Sequence, residues 1–441
     1  MPPKTLQKQN QMEMFERELD NLIDPKNALV RLGKAIDWTV FEKALGATYH
    51  TRIGAPGVNT RLMVALHYLK YQYDLSDEVV VAQWVENIYW QHFSGEQHLQ
   101  HQAPIAPSSM TRWRMRLGES GAELMLKQTI DTAIKLKALK PAQLRHINID
   151  TTVQTKAIRY PTDARLYNRA RERLVKLARE HGKKIKQSYA RVGARLLKQV
   201  SRYAHARQMK RAAASTRKLR TNLGRVIREI ERQKVGAEGK LARTLTIAKR
   251  IHAQKPQDKN KVYSVHEPHV NCIAKGKAGK KYEFGSKASI ASTSKGVWIV
   301  GAMNLPGNPY DGHTLEKQLE QVRRLVKLKN TNVHVDMGYR GHKHEGPETI
   351  HVDKRRRGTI PKSIWRWMKR RSAVEPMFGH CKSEHRMERN RLKGEQGDAI
   401  NAVLSASAMN FQKLLVVFWG YILMLLFGAE SRPQPVSASC S

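Results

Sequence analysis

The sequence predicts a mixed α/β protein with an all-helical N-terminal domain and a basic helical insertion in the α/β domain. Apolar residues recur at three- and four-residue spacing between residues 26 and 138, which is typical of short amphipathic helices. A long basic stretch of helical pattern separates the first predicted strand from the others. The order strand, helical insertion, two strands, helix, strand, strand and helix indicates a mixed α/β domain. The predicted strands, rich in Ile, Val and other apolar residues, are Leu144–Val153, Lys281–Ser292, Gly296–Asn304, Asn332–Val335 and Thr349–Val352.

Length and composition limit the number of domains. The chain has 441 residues, of which 40% are hydrophobic, which is enough for a large core and for two or three domains. We predict a helical N-terminal domain over residues 1–138 and an α/β domain over 139–430. The helical insertion is expected at about 163–255, and 431–441 is expected to be a flexible tail.

Three N-terminal helices are recognisable from their first residues. Asn59–Tyr73 begins with a capping Asn or Thr. Ser76–Asn87 begins with a serine followed by two acids, which the positive end of a helix favours. Pro107–Leu117 begins a third helix, with Ser108 or Ser109 as its predicted cap.

The third of these helices carries Arg112, Arg114 and Arg116 near its start. Early basic and polar residues are typical of a recognition helix that enters a DNA groove. A packing helix with a solvated arginine face explains the same spacing equally well, so both interpretations stay open.

The charge of the chain indicates a polyanionic partner. Lys and Arg number 79 against 38 Asp and Glu, a formal charge of +41 with a pI near 10.3. Residues 1–150 hold 18 basic and 16 acidic residues, whereas 151–260 hold 31 basic and 7 acidic ones. Such a local excess favours a surface that faces nucleic-acid phosphates over an ordinary solvated face.

Several classes of protein are disfavoured by what the sequence contains. Cys272, Cys381 and Cys440 are far apart, which predicts neither disulfides nor a cysteine zinc site and fits a reducing cytoplasm. The first 20 residues lack the apolar core of a secretory signal. The apolar stretch from Leu414 to Gly428 is shorter than a bilayer span, so a buried C-terminal helix is favoured over a membrane anchor. No Walker-type loop is found, so an ATP-driven role is not expected.

Three acids have positions that suit phosphodiester chemistry. The strand predicted within Leu144–Val153 is expected to end at Asp150, and Asp336 follows the apolar strand Asn332–Val335. Glu375 lies on a predicted helix, Trp365–Arg389. Carboxylates that converge at one edge of a sheet can hold two divalent cations, which stabilise the charge of an in-line displacement. Each acid also has an ordinary explanation: an Asx-turn for Asp150, a glycine-containing turn for Asp336 and a surface helix position for Glu375.

The residues around Glu375 resemble those of bacterial insertion-sequence transposases with an Asp-Asp-Glu (DDE) triad. The family has an Arg four residues before the Glu and a Lys seven residues after it, and Arg371 and Lys382 match. Lys382 lies two helical turns from Glu375 on the same face. The family's Tyr falls at Met368, so any role of that Tyr is not expected here.

The resemblance covers most of the chain. Similar transposases carry segments like those at 149–154 and 160–163 around the first acid, and like 335–341 around the second. The segments at 61–70 and 90–95 resemble the family's N-terminal helical domain. The resemblance implies an RNase H-like catalytic fold, binding of terminal inverted repeats by the N-terminal domain, and multimers on DNA.

The resemblance also implies roles for individual residues. Asp150, Asp336 and Glu375 are expected to bind Mg²⁺, for which Mn²⁺ is expected to substitute. Arg371 and Lys382 are expected to contact phosphate near the cut or to hold the helix of Glu375, although Lys382 is also a candidate surface residue. The predicted lining of the DNA path is Arg340 and the basic loop Lys354, Arg355, Arg356 and Arg357.

Weaker candidates have ordinary explanations that we favour. Trp365 and Trp367 are candidates for stacking on an unpaired base, but core packing is favoured. The histidines of 266–269 and 342–344 lack a known zinc spacing and are expected to be structural. Asp311 is a candidate fourth acid, but it more simply caps the helix that follows.

The predicted function is therefore a bacterial, nucleoid-associated transposase that cuts at element ends and joins the freed 3′-hydroxyl to target DNA, as a homodimer or higher multimer. Two alternatives remain open. One is a DNA-binding protein without chemistry, such as a repressor, against which the three intact acids argue. The other is a structure-specific nuclease of the same fold that cuts but does not join.

Overall fold

A computed structural model describes residues 18–46, 57–233, 239–274, 281–353 and 361–427. The chain divides into two compact units. The first unit consists of Met1–Gln154, Lys287–Leu305 and Pro309–Ser441, and the second, which we call the insertion unit, consists of Thr155–Ser286 and Pro306–Asn308. The predicted tail at 431–441 and the basic loop at 354–357 lie outside the described residues.

The first unit begins with six helices, as the apolar spacing predicts. The helices are α1 (Ala28–Ala35), α2 (Thr39–Gly46), α3 (Thr60–Gln72), α4 (Asp77–Glu86), α5 (Ile88–Phe93) and α6 (Pro107–Lys135). The predicted caps of α3 and α4 are confirmed, since Asn59 accepts from the amides of Arg61 and Leu62, and Ser76 accepts from Val79. The predicted serine cap of α6 is wrong, because Pro107 is already its first residue and Ala106 precedes it without a side-chain cap.

The sheet of the first unit is mixed, with the strand order β4-β3-β1-β5-β6. Its strands are β1 (His146–Thr155), β3 (Tyr282–Thr293), β4 (Ile299–Leu305), β5 (Asn332–Val335) and β6 (Thr349–Val352). β1 and β5 are parallel, as are β5 and β6, whereas β3 and β4 are antiparallel. The predicted mixed α/β class is therefore confirmed.

Four more helices complete the first unit: α11 (Leu315–Leu325), α12 (Lys362–Arg370), α13 (Val374–Ser383) and α14 (Gly394–Phe427). The single helix predicted over Trp365–Arg389 is wrong. A short 3-10 turn at Arg371–Ala373 separates α12 from α13, and α13 ends six residues earlier than expected.

α14 is the central helix of the first unit, packed against α1, α3, α6 and β4. Its buried Asn410 accepts from the Ile299 amide at 2.9 Å and donates to the Ile299 carbonyl at 2.8 Å. Buried amides of this kind fix the register of a helix against a strand, because an unpaired polar group would be costly there.

The apolar segment that the sequence singled out belongs to α14. Among the described residues α14 alone is long and apolar enough to cross a membrane, but 72% of its most apolar window, within Gly394–Phe418, is buried inside the protein. A buried core helix passes the same test of length and composition. Within the predicted segment Leu414 and Phe418 are buried but Val416 is 60% exposed, and the side chains beyond Phe418 lie outside the description.

The insertion unit is a bundle of four helices with a core of its own. The helices are α7 (Asp163–Glu180), α8 (Ala190–His205), α9 (Met209–Arg232) and α10 (Lys240–Ala253). Leu174, Leu223, Ile230 and Ile251 are among the residues of this core. A short strand that the sequence analysis missed, β2 (Asn271–Ala274), pairs antiparallel with the Tyr282–Gly285 part of β3.

Candidate active site

Asp150 lies on β1, and Asp336 directly follows the adjacent parallel strand β5. His146, Ile147 and Asn148 of β1 pair with Asn332, Val333 and His334 of β5, and the same register, continued by two residues, sets Asp150 opposite Asp336. Side chains level on neighbouring strands point to the same face, and such strands lie about 4.8 Å apart. The structure therefore brings together the first two predicted acids.

The two acids differ in local structure. β5 ends at Val335, and Asp336 caps a short 3-10 turn by accepting from the Gly338 amide at 2.9 Å. β1 does not end at Asp150 as predicted but continues to Thr155. Asp150 is thus held in extended backbone, and its Oδ1 accepts from the Thr151 amide at 2.7 Å.

A third aspartate, Asp353, which the sequence analysis missed, follows the neighbouring strand β6. We call Asp150, Asp336 and Asp353 the row. β5 and β6 pair from Asn332 with Thr349 to Val335 with Val352, so Asp353 comes level with Asp336. The Asp353 amide donates to the Val335 carbonyl at 3.0 Å. Its signal in the sequence is the one that marked Asp150 and Asp336, an acid directly after an apolar strand.

Arg371 bridges the two ends of this row. Its Nη1 donates to Oδ2 of Asp150 at 3.2 Å, and its Nη2 lies 3.7 Å from Oδ2 of Asp353. The arginine side chain is 21% exposed and that of Asp150 is 17% exposed. Solvent therefore screens the pair only in part, and Arg371 offsets negative charge in the row.

The Glu375 side chain does not contact Asp150, Asp336 or Asp353. It lies in the first turn of α13, is exposed, and forms no hydrogen bond or ion pair with the described residues. In the described part of the chain, no group of three or more His, Cys, Asp or Glu residues is close enough to hold a metal ion. Lys382, near the end of the same helix, is half-buried.

Asp311 lies beside the row, although the sequence analysis favoured a capping role for it. That interpretation is wrong, because the α11 N-terminus has no side-chain cap and the Asp311 carboxylate points elsewhere. Its Oδ1 accepts from the Thr151 hydroxyl at 3.1 Å and from Nζ of Lys287 at 3.0 Å. Asp311 thus contacts the neighbour of Asp150.

Tyr339 places a hydroxyl among these acids. The residue is completely buried, and its hydroxyl approaches the Ser289 hydroxyl on β3. Burial first, and then the negative charges of Asp150, Asp311 and Asp336, raise the pKa of Tyr339 well above its usual value. Three carboxylates therefore act on one buried hydroxyl.

Known families match both parts of the chain. The family described as "Transposase domain (DUF772)" matches residues 17–116, and the family described as "Transposase DDE domain" matches 248–411. The chain is a DDE-type insertion-sequence transposase. A relative from Rhizobium meliloti, "Uncharacterized protein ORF8 in nfe locus", is 49% identical over 196 residues, which are 44% of this chain and 94% of the relative. No solved structure matches the chain.

Arg114 of the transposase was predicted to contact DNA, but it has a structural role. Arg114 is 4% exposed, and its Nη1 and Nη2 donate to the two carboxylate oxygens of Asp77 at 2.7 and 2.5 Å. Lys70 donates to the same carboxylate at 2.6 Å. Arg114 is therefore a core residue that joins α6 to α4, and its prediction as a DNA contact is wrong.

The other basic candidates differ in accessibility. Arg112, Arg116 and Arg340 are exposed, and Arg112 donates to the Ser109 hydroxyl at 3.0 Å. Arg355, Arg356 and Arg357 lie outside the described residues of the transposase. The sequence showed where α6 is basic, but it did not show which arginine faces inward.

The aromatic and histidine candidates of the transposase are in structural contacts. Trp367 stacks on His146 with ring centroids 3.9 Å apart. His344 Nδ1 pairs with Oε2 of Glu316 at 2.5 Å, and His269 Nε2 lies 3.6 Å from Oε2 of Glu267. The histidine contacts agree with the structural interpretation favoured from the sequence, whereas Trp365 and Trp367 are half-buried and are not among the described core residues.

Proposed function

We propose that this transposase cleaves phosphodiester bonds at the ends of its element and joins the freed 3′-hydroxyl to target DNA, using a divalent metal. The observation that carries the proposal is the register of β1 with β5, which sets Asp150 opposite Asp336 directly after β5. The mixed sheet with β1 at its centre supports an RNase H-like fold. Strand ends of such sheets form the crevice in which ligands bind.

The donor chemistry of the site suits Mg²⁺. Asp150 and Asp336 offer hard carboxylate oxygens, the ligands that Mg²⁺ and Mn²⁺ prefer. When bound, the metal supplies Lewis-acid stabilisation of the negative charge that develops on the phosphate. We assign Glu375 as the third ligand, which requires α13 to bring its exposed carboxylate to the row when DNA and metal bind.

Arg371 and Lys382 have supporting roles in this proposal. Arg371 already reaches Asp150, so it holds the start of α13 near the strand that carries the first acid. Its planar guanidinium is suited to a phosphate as well as to a carboxylate. Lys382 lies two turns along α13 from Glu375 and offers a second positive charge for DNA on that helix.

DNA is expected to contact three basic surfaces. We assign end recognition to the N-terminal helices, with the exposed Arg112 and Arg116, and we assign the DNA path near the site to Arg340 and residues 354–357. The exposed cations of the insertion unit include Arg195, Lys198 and Arg202 of α8. Salt dependence tests this surface, because the logarithm of the DNA binding constant falls linearly with the logarithm of the salt concentration. Changing these three residues to alanine should make the slope of that plot shallower by roughly 2.7, since three phosphate contacts are lost.

The test of this function is a cleavage and joining assay with the full chain. Labelled DNA that bears the ends flanking its own gene is incubated with a plasmid target and Mg²⁺ or EDTA. Asp336→Asn is compared with Asp131→Asn, which removes a carboxylate of α6 that is 43% exposed and pairs with Lys127. Mg²⁺-dependent nicks and joined products should be lost in Asp336→Asn and kept in Asp131→Asn.

Other outcomes would contradict parts of the proposal. Cutting without joined products would indicate a nuclease. DNA that is retarded in a gel but never cut, with Asp336→Asn behaving as wild type, would leave a DNA-binding protein. Sedimentation of the protein with and without DNA that carries the element ends tests the proposed dimer or higher multimer on DNA. Because the proposed substrate is bacterial DNA, we also propose a cytoplasmic location.

A further inference from the structure

β3 carries a half-buried lysine, Lys287, that the proposed mechanism does not use. The Lys287 side chain is only 12% exposed, and its Nζ donates to the Pro309 carbonyl at 2.7 Å and to Oδ1 of Asp311 at 3.0 Å. A lysine is rarely buried unless its charge is paired. Lys287 therefore fixes both the backbone and the side chain of the segment that contains Asp311.

Asp311 in turn contacts the segments that carry the two aligned acids. Towards β1, its Oδ1 accepts from the hydroxyl of Thr151, the residue after Asp150, at 3.1 Å. Towards β5, its Oδ2 approaches Gly338, whose amide binds Asp336. A Cβ atom placed on Gly338 would lie 3.1 Å from Oδ2 of Asp311 and 3.0 Å from Oδ1 of Asp336. Two carboxylates thus approach one backbone position that has no side chain.

The buried Tyr339 side chain lies near the same acids. Its hydroxyl approaches the hydroxyl of Ser289 on β3, and the charges of Asp150, Asp311 and Asp336 all act on it. Carboxylate oxygens are the ligands that a divalent cation prefers, so the acids linked by Asp311 are the chemically suitable ones for a metal.

We propose that Lys287 and Asp311 form a positioning pair of the catalytic centre, which sets the separation of Asp150 and Asp336 through the Thr151 hydroxyl and the Gly338 turn. The inference rests on the proposed metal-dependent function. Asp311 acts through other residues and need not touch the metal. Residues that orient metal ligands typically alter metal affinity by about 10- to 100-fold when they are changed.

The test compares variants that remove one link each. Thr151→Val removes the hydroxyl that Asp311 binds and keeps the shape, whereas Thr151→Ser keeps the hydroxyl. Asp311→Asn and Lys287→Met remove the two charges of the pair. Asp131→Asn, which changes the half-buried carboxylate of α6, is the control for loss of one charge. The melting temperature of each variant reports its folding.

Two readouts are measured for each variant: the Mg²⁺ concentration for half-maximal cleavage, and the Mn²⁺ dissociation constant by electron paramagnetic resonance. Thr151→Val, Asp311→Asn and Lys287→Met should raise both by about tenfold or more. Thr151→Ser and Asp131→Asn should stay within about twofold of the wild type, because the link and the pair are intact in them. A purely structural role would lower the melting temperature and leave both metal readouts unchanged.

Three results would overturn the inference. The first is a wild-type metal dependence in Thr151→Val and Asp311→Asn. The second is a Thr151→Ser variant as impaired as Thr151→Val. The third is an Asp311→Asn variant whose Mn²⁺ affinity falls as far as that of Asp336→Asn, which would make Asp311 a ligand. If Asp311→Asn does not fold, the Thr151 variants decide.

The same measurements separate this inference from the proposed function. A wild-type protein that binds Mn²⁺ but cuts no DNA would contradict the proposed function, and the Mn²⁺ constants of the variants would still test the positioning pair. A wild-type protein that binds no Mn²⁺ would overturn both.

Discussion

Arg371 donates from Nη1 to Oδ2 of Asp150 across 3.2 Å, so a residue of the turn before α13 is tied to the central strand of the sheet. Its other terminal nitrogen lies 3.7 Å from Asp353. The arginine that precedes Glu375 in the chain is therefore also its structural link to the first acid. This contact explains how a helix whose own glutamate is exposed stays beside the candidate site.

Replacing Arg371 tests whether cleavage requires the planar shape of its guanidinium or only its positive charge. Arg371→Ala should lower the cleavage rate by about 100-fold, because one positioned donor near the phosphate is lost. Arg371→Lys should recover only part of this loss, since an ammonium group cannot span two carboxylates. Single-turnover cleavage measures both variants. Arg366→Lys, an exposed position of α12, is the control, and equal rates for Arg371→Lys and wild type would contradict the bridging role.

Asp150 and Asp353, the two ends of the row, should differ in how much cleavage depends on them. Asp150→Asn should abolish detectable cleavage, because it removes a proposed metal ligand. Asp353→Asn should lower the rate less than about tenfold, since its side chain is 43% exposed and contributes only a long ion pair to Arg371. End-cleavage assays at saturating Mg²⁺ compare the two. Loss of cleavage in Asp353→Asn equal to that in Asp150→Asn would assign the metal to a different pair of acids.

The two arginines of α6 should give opposite phenotypes. Arg114→Ala should destabilise the fold by about 2–3 kcal/mol, because it removes the bidentate partner of Asp77 and leaves Lys70 as the remaining cation on that carboxylate. Arg112→Ala should leave the free energy of unfolding nearly unchanged and weaken end binding. Urea unfolding and gel retardation distinguish them. A stable Arg114→Ala with weakened DNA binding would restore Arg114 as a DNA contact.

Acid should destabilise the protein through His67. Burial first, and then the charge of Arg114, lower the pKa of His67 to about 3. Between about pH 6.5 and 3 the unfolded histidine binds a proton that the folded one does not, so the free energy of unfolding falls as the pH falls. The contribution is about 1.4 kcal/mol per pH unit, and it ends below pH 3, where both states are protonated.

Urea unfolding from pH 7 to pH 4 measures this slope. His67→Gln should show a slope smaller by the contribution of one proton, whereas the exposed control His101→Gln should keep the slope of the wild type. Identical slopes for all three proteins would show that His67 is protonated in the folded state.

The sequence determined the class of fold and the positions of the first two acids. Strand periodicity located β1, β3, β4, β5 and β6, and helical spacing located the N-terminal helices and the insertion. These patterns are local, because burial of one face repeats every two residues in a strand and every three or four in a helix. The motif around Glu375 likewise indicated the family without any coordinates.

Which charged side chains meet depends on contacts between segments that are distant in the sequence. Arg112 and Arg114 lie two residues apart in one basic run. Only Arg114 of these two is buried, because it pairs with Asp77, which lies 37 residues away in the sequence. Asp353 and Asp311 became visible as neighbours of the site only once strand register and the Lys287 contact were known. Register and ion pairing depend on segments that are far apart in the chain, so local periodicity carries no information about them.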